Sequence, residues 1–269
     1  MFANVELNSS QINELLQVVR NAGKAVMEIY NKEITIETKS DTSPLTNADL
    51  ISNTLICEFL KLNYKFPIIS EENSDSHKFK TSESIYWLVD PLDGTKEFIA
   101  KNGEFTINIA LIQNGEPTFG IVYAPCSDEF FYAQKFMGSF LIKDNVILPL
   151  KKERRYKICK NQIYFKWKKQ ITFIVSRSHK SNLETFKDIL CPKCNYEVVF
   201  KEIGSSLKFC RMAQGIGDVY YRNLPTKEWD TAAGQIIAQE ANLNVYDKET
   251  FKTLKYGKSD LLNKSFIVF

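Results

Sequence analysis

An apolar run that ends in two carboxylates around a proline, Trp87-Leu88-Val89-Asp90-Pro91-Leu92-Asp93-Gly94-Thr95, constrains this chain more than any other stretch. Three apolar residues predict a strand, Pro91 turns the backbone, and a second acid follows the first three positions on. Two acids this close at a strand end repel each other unless a cation sits between them. No base stands inside the turn, and Lys96 comes only after it. Oxygen-rich clusters of this kind suit hard divalent cations such as magnesium, and phosphate groups follow magnesium. The stretch therefore predicts metal-dependent phosphoryl transfer or phosphate hydrolysis. Asp93-Gly94 is equally an ordinary turn pair, and that plainer reading stays open.

Bulk properties permit such an enzyme without demanding one. The 269 residues can bury one large core or two packed halves, with 44% hydrophobic and 25% charged residues. A net charge of +3 is too small to imply a nucleic-acid partner. No apolar run approaches the roughly 18 residues of a membrane span. The start, Met1-Phe2-Ala3-Asn4-Val5-Glu6, lacks the basic-then-apolar order of a signal peptide. Six cysteines are scattered through the chain, so no disulfide framework is expected and a reducing cytoplasm is the expected compartment. Cys191-Pro192-Lys193-Cys194 has zinc-knuckle spacing without a second pair, and His179 is too far upstream, so it reads as a surface turn.

Residues 10–30 carry an apolar stripe at helical spacing, and residues 46–62 predict a second helix with Thr46 and Asp49 as a capping box. Short strands are expected at 66–69 and 85–89. From 105 to 150 strand follows strand, with Asn114-Gly115 as a hairpin turn. Residues 151–169 are crowded with Lys and Arg around one acid, Glu153. They read as a solvated linker, with a patch for an anionic partner as the sharper option. Beyond them strand and helix alternate: strands at 171–175, 196–203, 218–221 and 265–269, helices at 182–190, 206–214 and 229–241. Helices on a largely antiparallel sheet, followed by a layered α/β half, is the predicted architecture, with a boundary at 150–170.

Several acids fall where elements end: Glu71 and Glu72 after one strand, Asp90 and Asp93 after another, Asp230 at a helix start. Carboxylates can converge only around cations that offset their repulsion. Each also has a plain alternative. Asp230 can cap its helix, Asp49 can serve only the capping box, and Glu71-Glu72 can face solvent. His77 lies in a polar loop with no supporting context.

Taken together, Trp87 to Phe98 and Glu228-Trp229-Asp230-Thr231-Ala232-Ala233-Gly234 resemble the two signatures of the inositol monophosphatase superfamily of lithium-sensitive, magnesium-dependent phosphatases. Lys96-Glu97-Phe98, Gly103-Glu104-Phe105-Thr106, Ser176-Arg177-Ser178-His179 and Gly204-Ser205-Ser206-Leu207-Lys208-Phe209-Cys210 resemble its CysQ branch of 3′(2′),5′-bisphosphate nucleotidases. The resemblance implies an αβαβα sandwich of the sugar-phosphatase type with two packed subdomains, 1–160 and 161–269. It implies two or three Mg2+ ions on Glu71, Asp90, Asp93, Asp230 and the carbonyl of Leu92. Asp49 and Thr95 would orient and deprotonate the attacking water, and Glu72 would position water beside the metal. Glu71, Asp93 and Asp230 would also face the substrate. Gly94, Thr95 and Lys96 would hold the scissile phosphate, and His179, Ser205, Ser206 and Lys208 would meet the nucleotide.

The activity so implied is hydrolysis of the 3′-phosphate of adenosine 3′,5′-bisphosphate to AMP and phosphate, with the 3′-phosphosulfate precursor as a second substrate. The expected partner is this small molecule, bound by a monomer or homodimer in the cytoplasm, with peripheral attachment at the inner membrane left open. An inositol monophosphatase is the near competitor. Haloacid-dehalogenase-type phosphatases separate their two acids by one residue, against two here. A non-catalytic nucleotide- or RNA-binding module would work through 151–169 without turnover.

Overall fold

The computed structural model describes residues 5–32, 36–38, 44–79, 84–153, 156–159, 162–177, 189–191 and 193–269. Helix α1 (Ser9–Tyr30) opens with Asn8 and Gln11 capping each other reciprocally, and buries Ile12, Leu15, Val19, Ala22 and Val26 along one face. Short strands β1 (Ile36–Thr38) and β2 (Pro44–Thr46) form a hairpin that leads into α2 (Asn47–Asn63). Both helices lie against a seven-stranded sheet. Its strands are β3 (Ile68–Ser70), β4 (Ile85–Asp93), β5 (Thr106–Gln113), β6 (Glu116–Ala124), β7 (Glu129–Gln134), β8 (Gly138–Lys143) and β9 (Val146–Leu150), in that order. Among the described strands of this sheet, β3 and β4 pair parallel and the other neighbours antiparallel. Asn114 and Gly115 turn the β5–β6 hairpin with φ of 52° and 75°, the doubly positive geometry that Asn-Gly tolerates.

Alternation along β4 divides the two faces. Trp87 and Val89 join the core under α1 and α2, while Tyr86 and Leu88 join the core on the opposite face. That second core is filled by helices α4 (Leu207–Ala213) and α5 (Ala232–Glu240), sandwiched between the sheets. The second sheet is five-stranded: β13 (Glu197–Ile203), β12 (Gln170–Ser176), β14 (Val219–Arg222), β18 (Phe266–Val268) and β16 (Val245–Asp247). Its far side carries a third cluster around Ile163, Phe173, Ile189 and Phe269. Helix–sheet–helix–sheet layering is thus present, as the alternation predicts. The expected helix at 182–190 falls almost wholly outside the described residues.

Two expectations need correction. Residues 151–169 are not a bare linker: β10 (Tyr156–Cys159) and β11 (Gln162–Phe165) form a hairpin within them. Apolar Ile163 and Phe165 alternate with polar neighbours there and are buried, a strand pattern the surrounding lysines obscure. The last long helix starts at Ala232, not at 229, because Asp230 turns its carboxylate back to the Lys227 N–H (3.0 Å). Asp230 is therefore not the helix cap. Cys191 and Cys194 lie in the expected turn, closed by a Cys194 N–H to Cys191 O bond of 3.1 Å.

Candidate active site

Strand β4 sets the site. On a regular strand, residues three apart face opposite sides. Pairing with β5 runs Asp90 to Asn108 and then Asp93 to Thr106, so β4 spends one residue more than its partner there. Pro91 has no N–H to give to a ladder, which suits a bulge, and the extra residue restores both acids to one side. Ser52 on α2 donates to Pro91 O (2.7 Å), and the Leu92 N–H donates to Asp90 Oδ1 (3.1 Å), holding the turn from outside and within. Gly94 follows with φ of 90°, left-handed backbone that a side chain would strain. It launches the short helix α3 (Thr95–Ile99).

The acids converge. Burial, then Glu71, Asp93 and Asp230 in turn, hold the Asp90 carboxyl well above the usual carboxylate range. Burial, Asp93 and Glu71 do the same to Asp230. Burial also raises Asp93, although Lys208, the Ser206 N–H (2.5 Å) and Asn108 Nδ2 (3.4 Å) pull against it. Four carboxylates from three separate chain segments therefore sense one another across one small volume. Among the described residues no three or more His, Cys, Asp or Glu side chains close tightly enough to hold one ion. The acids face one another as repelling neighbours, not as a finished coordination sphere. The donors are nonetheless all oxygen, and their buried excess negative charge is what a hard cation relieves, so the set fits magnesium.

Asp49 is buried and shared. Its Oδ2 accepts from the Thr46 N–H (2.8 Å) and Thr46 Oγ1 (2.7 Å), completing the capping box. Its Oδ1 accepts from Thr95 Oγ1 at 3.4 Å, and that hydroxyl lies equally 3.4 Å from Leu92 O. Asp49 thus closes the capping box and meets the Thr95 hydroxyl at once. Glu72 shares the turn of Glu71, half-buried.

A cavity of about 220 Å³ opens beside the acids, lined by Asp93, Glu97 and Asp230 together with Lys96, Lys208 and Arg222. Gly94, Thr95, Ser205 and Ser206 also line it. Lys208 is buried, donates to Ser205 O (2.5 Å), and is pushed down to about 8 by burial against the pull of Asp93. The Ser206 hydroxyl is engaged with Thr106 Oγ1 (2.7 Å) and Asn108 Oδ1 (2.8 Å), so Ser206 braces Asp93 as much as it lines the cavity. His179 lies outside the described residues. Sequence reading missed Arg222 and Thr226: Arg222 Nε and Thr226 Oγ1 are buried without a hydrogen-bond partner, and both residues line this cavity. No local pattern marks a single arginine at a strand end. It also missed His77, which lies against Trp229, the neighbour of Asp230 (ring centres 5.0 Å apart).

The chain is similar to known proteins in both sequence and fold. The model of the inositol monophosphatase family matches residues 8–267. The 3′(2′),5′-bisphosphate nucleotidase CysQ of Salmonella typhimurium is 38% identical over 261 residues, covering 96% of this chain and 98% of that protein. The crystal structure of CysQ from Bacteroides thetaiotaomicron superposes with a TM-score of 0.77 at 35% identity, covering 96% of each chain. An IMPase/NADP phosphatase complexed with NADP and Ca2+ shares the fold at a TM-score of 0.74 and 20% identity.

Proposed function

The chain belongs to the inositol monophosphatase family, and from that premise we propose that it removes the 3′-phosphate of adenosine 3′,5′-bisphosphate, giving AMP and phosphate. The observation that carries this choice is the mixed lining of the cavity, in which Lys208 and the unpartnered Arg222 Nε stand among the carboxylates. A bisphosphate has two anionic groups to place, one on the metal-binding acids and one on the basic side chains among them. An inositol monoester has one, and would leave the buried Arg222 Nε without a partner, which is costly. At about 220 Å³ the cavity is smaller than the ~300–1,000 Å³ that encloses a whole small ligand, so phosphates and ribose enter and the base stays toward the rim. The 3′-phosphosulfate analogue carries the same two anionic groups.

Glu71, Asp90, Asp93, Asp230 and the Leu92 carbonyl would hold Mg2+, two or three ions in all. Bound there, Mg2+ supplies Lewis-acid polarisation of the phosphoryl oxygens and an acidified water. The chain's own residues do the rest. Asp49 Oδ1 takes the Thr95 hydroxyl proton in its hydrogen bond, which turns the Thr95 Oγ1 lone pairs toward water and aims it for in-line attack. Glu72 stands beside Glu71 to hold a second water. The N–H groups at the start of α3, at Thr95 and Lys96, have no partner within the helix and can receive phosphate oxygens. Lys208 and Arg222 hold the distal phosphate, with Ser205 beside them and His179 assigned to the nucleotide by family resemblance. Among the described residues no helix is long and apolar enough to cross a membrane, and we place the enzyme in the cytoplasm as a monomer or homodimer.

The deciding assay is phosphate release from adenosine 3′,5′-bisphosphate, its 3′-phosphosulfate analogue and inositol 1-phosphate, with and without Mg2+ and Li+. Preference for the inositol ester, or turnover untouched by chelation, overturns the proposal.

A further inference from the structure

His77 joins two parts of the site that come from distant stretches of chain. Strand β3 ends at Ser70, and a single 3₁₀ turn, Ser74–Phe79, folds back over it. The Ser70 N–H donates to Ser76 Oγ (3.1 Å), and Ser70 O lies 2.9 Å from His77 Nε2. A carbonyl only accepts, so Nε2 carries the proton and donates. The same imidazole lies on the indole of Trp229, with ring centres 5.0 Å apart and planes 31° apart. Lys227 Nζ stands 5.6 Å from the centre of that indole. Trp229 is only 4% exposed, so its ring has little room to turn away.

Each end of this link is next to an acid. Glu71 follows Ser70, and its N–H donates to Val89 O (3.1 Å), which locks it to β4 and so to Asp90. Asp230 follows Trp229, with its carboxylate on the Lys227 N–H (3.0 Å). Glu71 and Asp90 are thus tied together through the first sheet, whereas Asp230 arrives from the second half of the chain. The carboxylates repel one another, so something must resist their separation.

We infer that His77 is a positioning residue that clips the Glu71 turn to the Trp229-Asp230 turn and so sets the spacing of the acids across the metal site. It touches neither acid directly and acts through Ser70 and Trp229. The inference rests on the metal reading of the site given above, and deepens it.

The test uses the full-length protein stripped of metal by chelation, with His77→Phe and His77→Gln as variants. Phenylalanine keeps a ring for Trp229 but donates nothing to Ser70 O; glutamine can donate. Calorimetric titration with Mn2+ should show binding weakened about tenfold in His77→Phe and within about threefold of wild type in His77→Gln. The Mg2+ concentration for half-maximal turnover should rise by the same factors, with kcat at saturating Mg2+ within about twofold of wild type. A role in folding alone would lower the melting temperature of the metal-free variants and leave Mn2+ affinity unchanged, and that result overturns the inference. Equal weakening in both variants keeps the inference, because phenylalanine loses the Ser70 end of the link and glutamine loses the ring that rests on Trp229. Wild-type protein that binds no Mn2+ and releases no phosphate overturns the metal reading itself. Wild-type binding matched by His77→Phe overturns the His77 link alone.

Discussion

Asp49 divides its two carboxylate oxygens between a helix cap and the Thr95 hydroxyl. Oδ2 closes the capping box of α2, and Oδ1 meets the Thr95 hydroxyl. Under the proposed mechanism helix and chemistry therefore depend on one side chain, while Thr95 would serve the chemistry alone. Thr95→Ala should lower kcat by about 10²–10⁴, the usual span of a lost acid–base contact, with little change in melting temperature. Thr95→Ser should recover most of the loss, and steady-state kinetics on the three proteins decide it. Asp93 gives the opposite pairing of effects. Its charge is disfavoured by burial, so Asp93→Asn should stabilise the metal-free protein. The same change should cut turnover at least about a hundredfold by weakening metal binding. Near-normal turnover, or a less stable metal-free protein, would remove Asp93 from the assigned set.

At the level of elements, the site hangs on how loops are pinned to neighbouring strands. Glu228 is fully buried and accepts from the Gly257 N–H (2.8 Å) and Lys258 N–H (3.1 Å), with the Lys258 ammonium beside it. This anchors the turn that presents Asp230. Glu228→Ala should destabilise the fold by about 2–4 kcal/mol, since each orphaned amide costs about 1–3 kcal/mol, and denaturant unfolding measures it. Gly204 lies where the loop before α4 crosses the chain after α3. A Cβ there would come within 2.7 Å of Glu97 Cγ and 2.8 Å of Glu104 O. Backbone cannot give way as a side-chain tip can, so Gly204→Ala should cost about 1–3 kcal/mol. It should also raise KM by shifting Ser205 and Ser206 against the cavity, and an unchanged KM would show the loop to be more pliant than its packing suggests.

For the whole molecule, the gathered acids make stability depend on pH and metal together. The folded-state pKa values of Asp90, Asp93 and Asp230 are raised, so the stability they contribute is complete below the ordinary carboxylate range near pH ~4 and is lost as pH rises through the raised values. Burial pushes Glu104 and Glu129 up, but Arg177 and Arg211 outweigh it and hold both below the usual range. Those two glutamates act with the opposite sign, losing stability as pH falls, and Mg2+ does not touch them. The difference in melting temperature with and without saturating Mg2+ therefore isolates the site. It should be small near pH 5 and grow toward pH 8, as metal binds the ionised acids and replaces repulsion with attraction. Scanning calorimetry with Mg2+ or with chelator measures it, and a difference independent of pH would contradict the shared-cation reading.

The sequence by itself determined the elements and most of the chemistry. Helical stripes, the Asn-Gly hairpin and the Thr46–Asp49 capping box are local, set by side-chain periodicity and turn conformation within a few residues. The two acidic motifs named the class of reaction because closely spaced carboxylates have few affordable uses. Only the tertiary structure decided which acids share a volume, and which basic groups stand among them. The bulge that turns Asp90 and Asp93 to one side depends on pairing with β5. Arg222 and His77 acquire meaning from neighbours on other strands and loops, contacts between distant residues that no local pattern encodes. Convergence is a property of packing: charge economy says that buried acids must meet a cation, but only the layered cores say where.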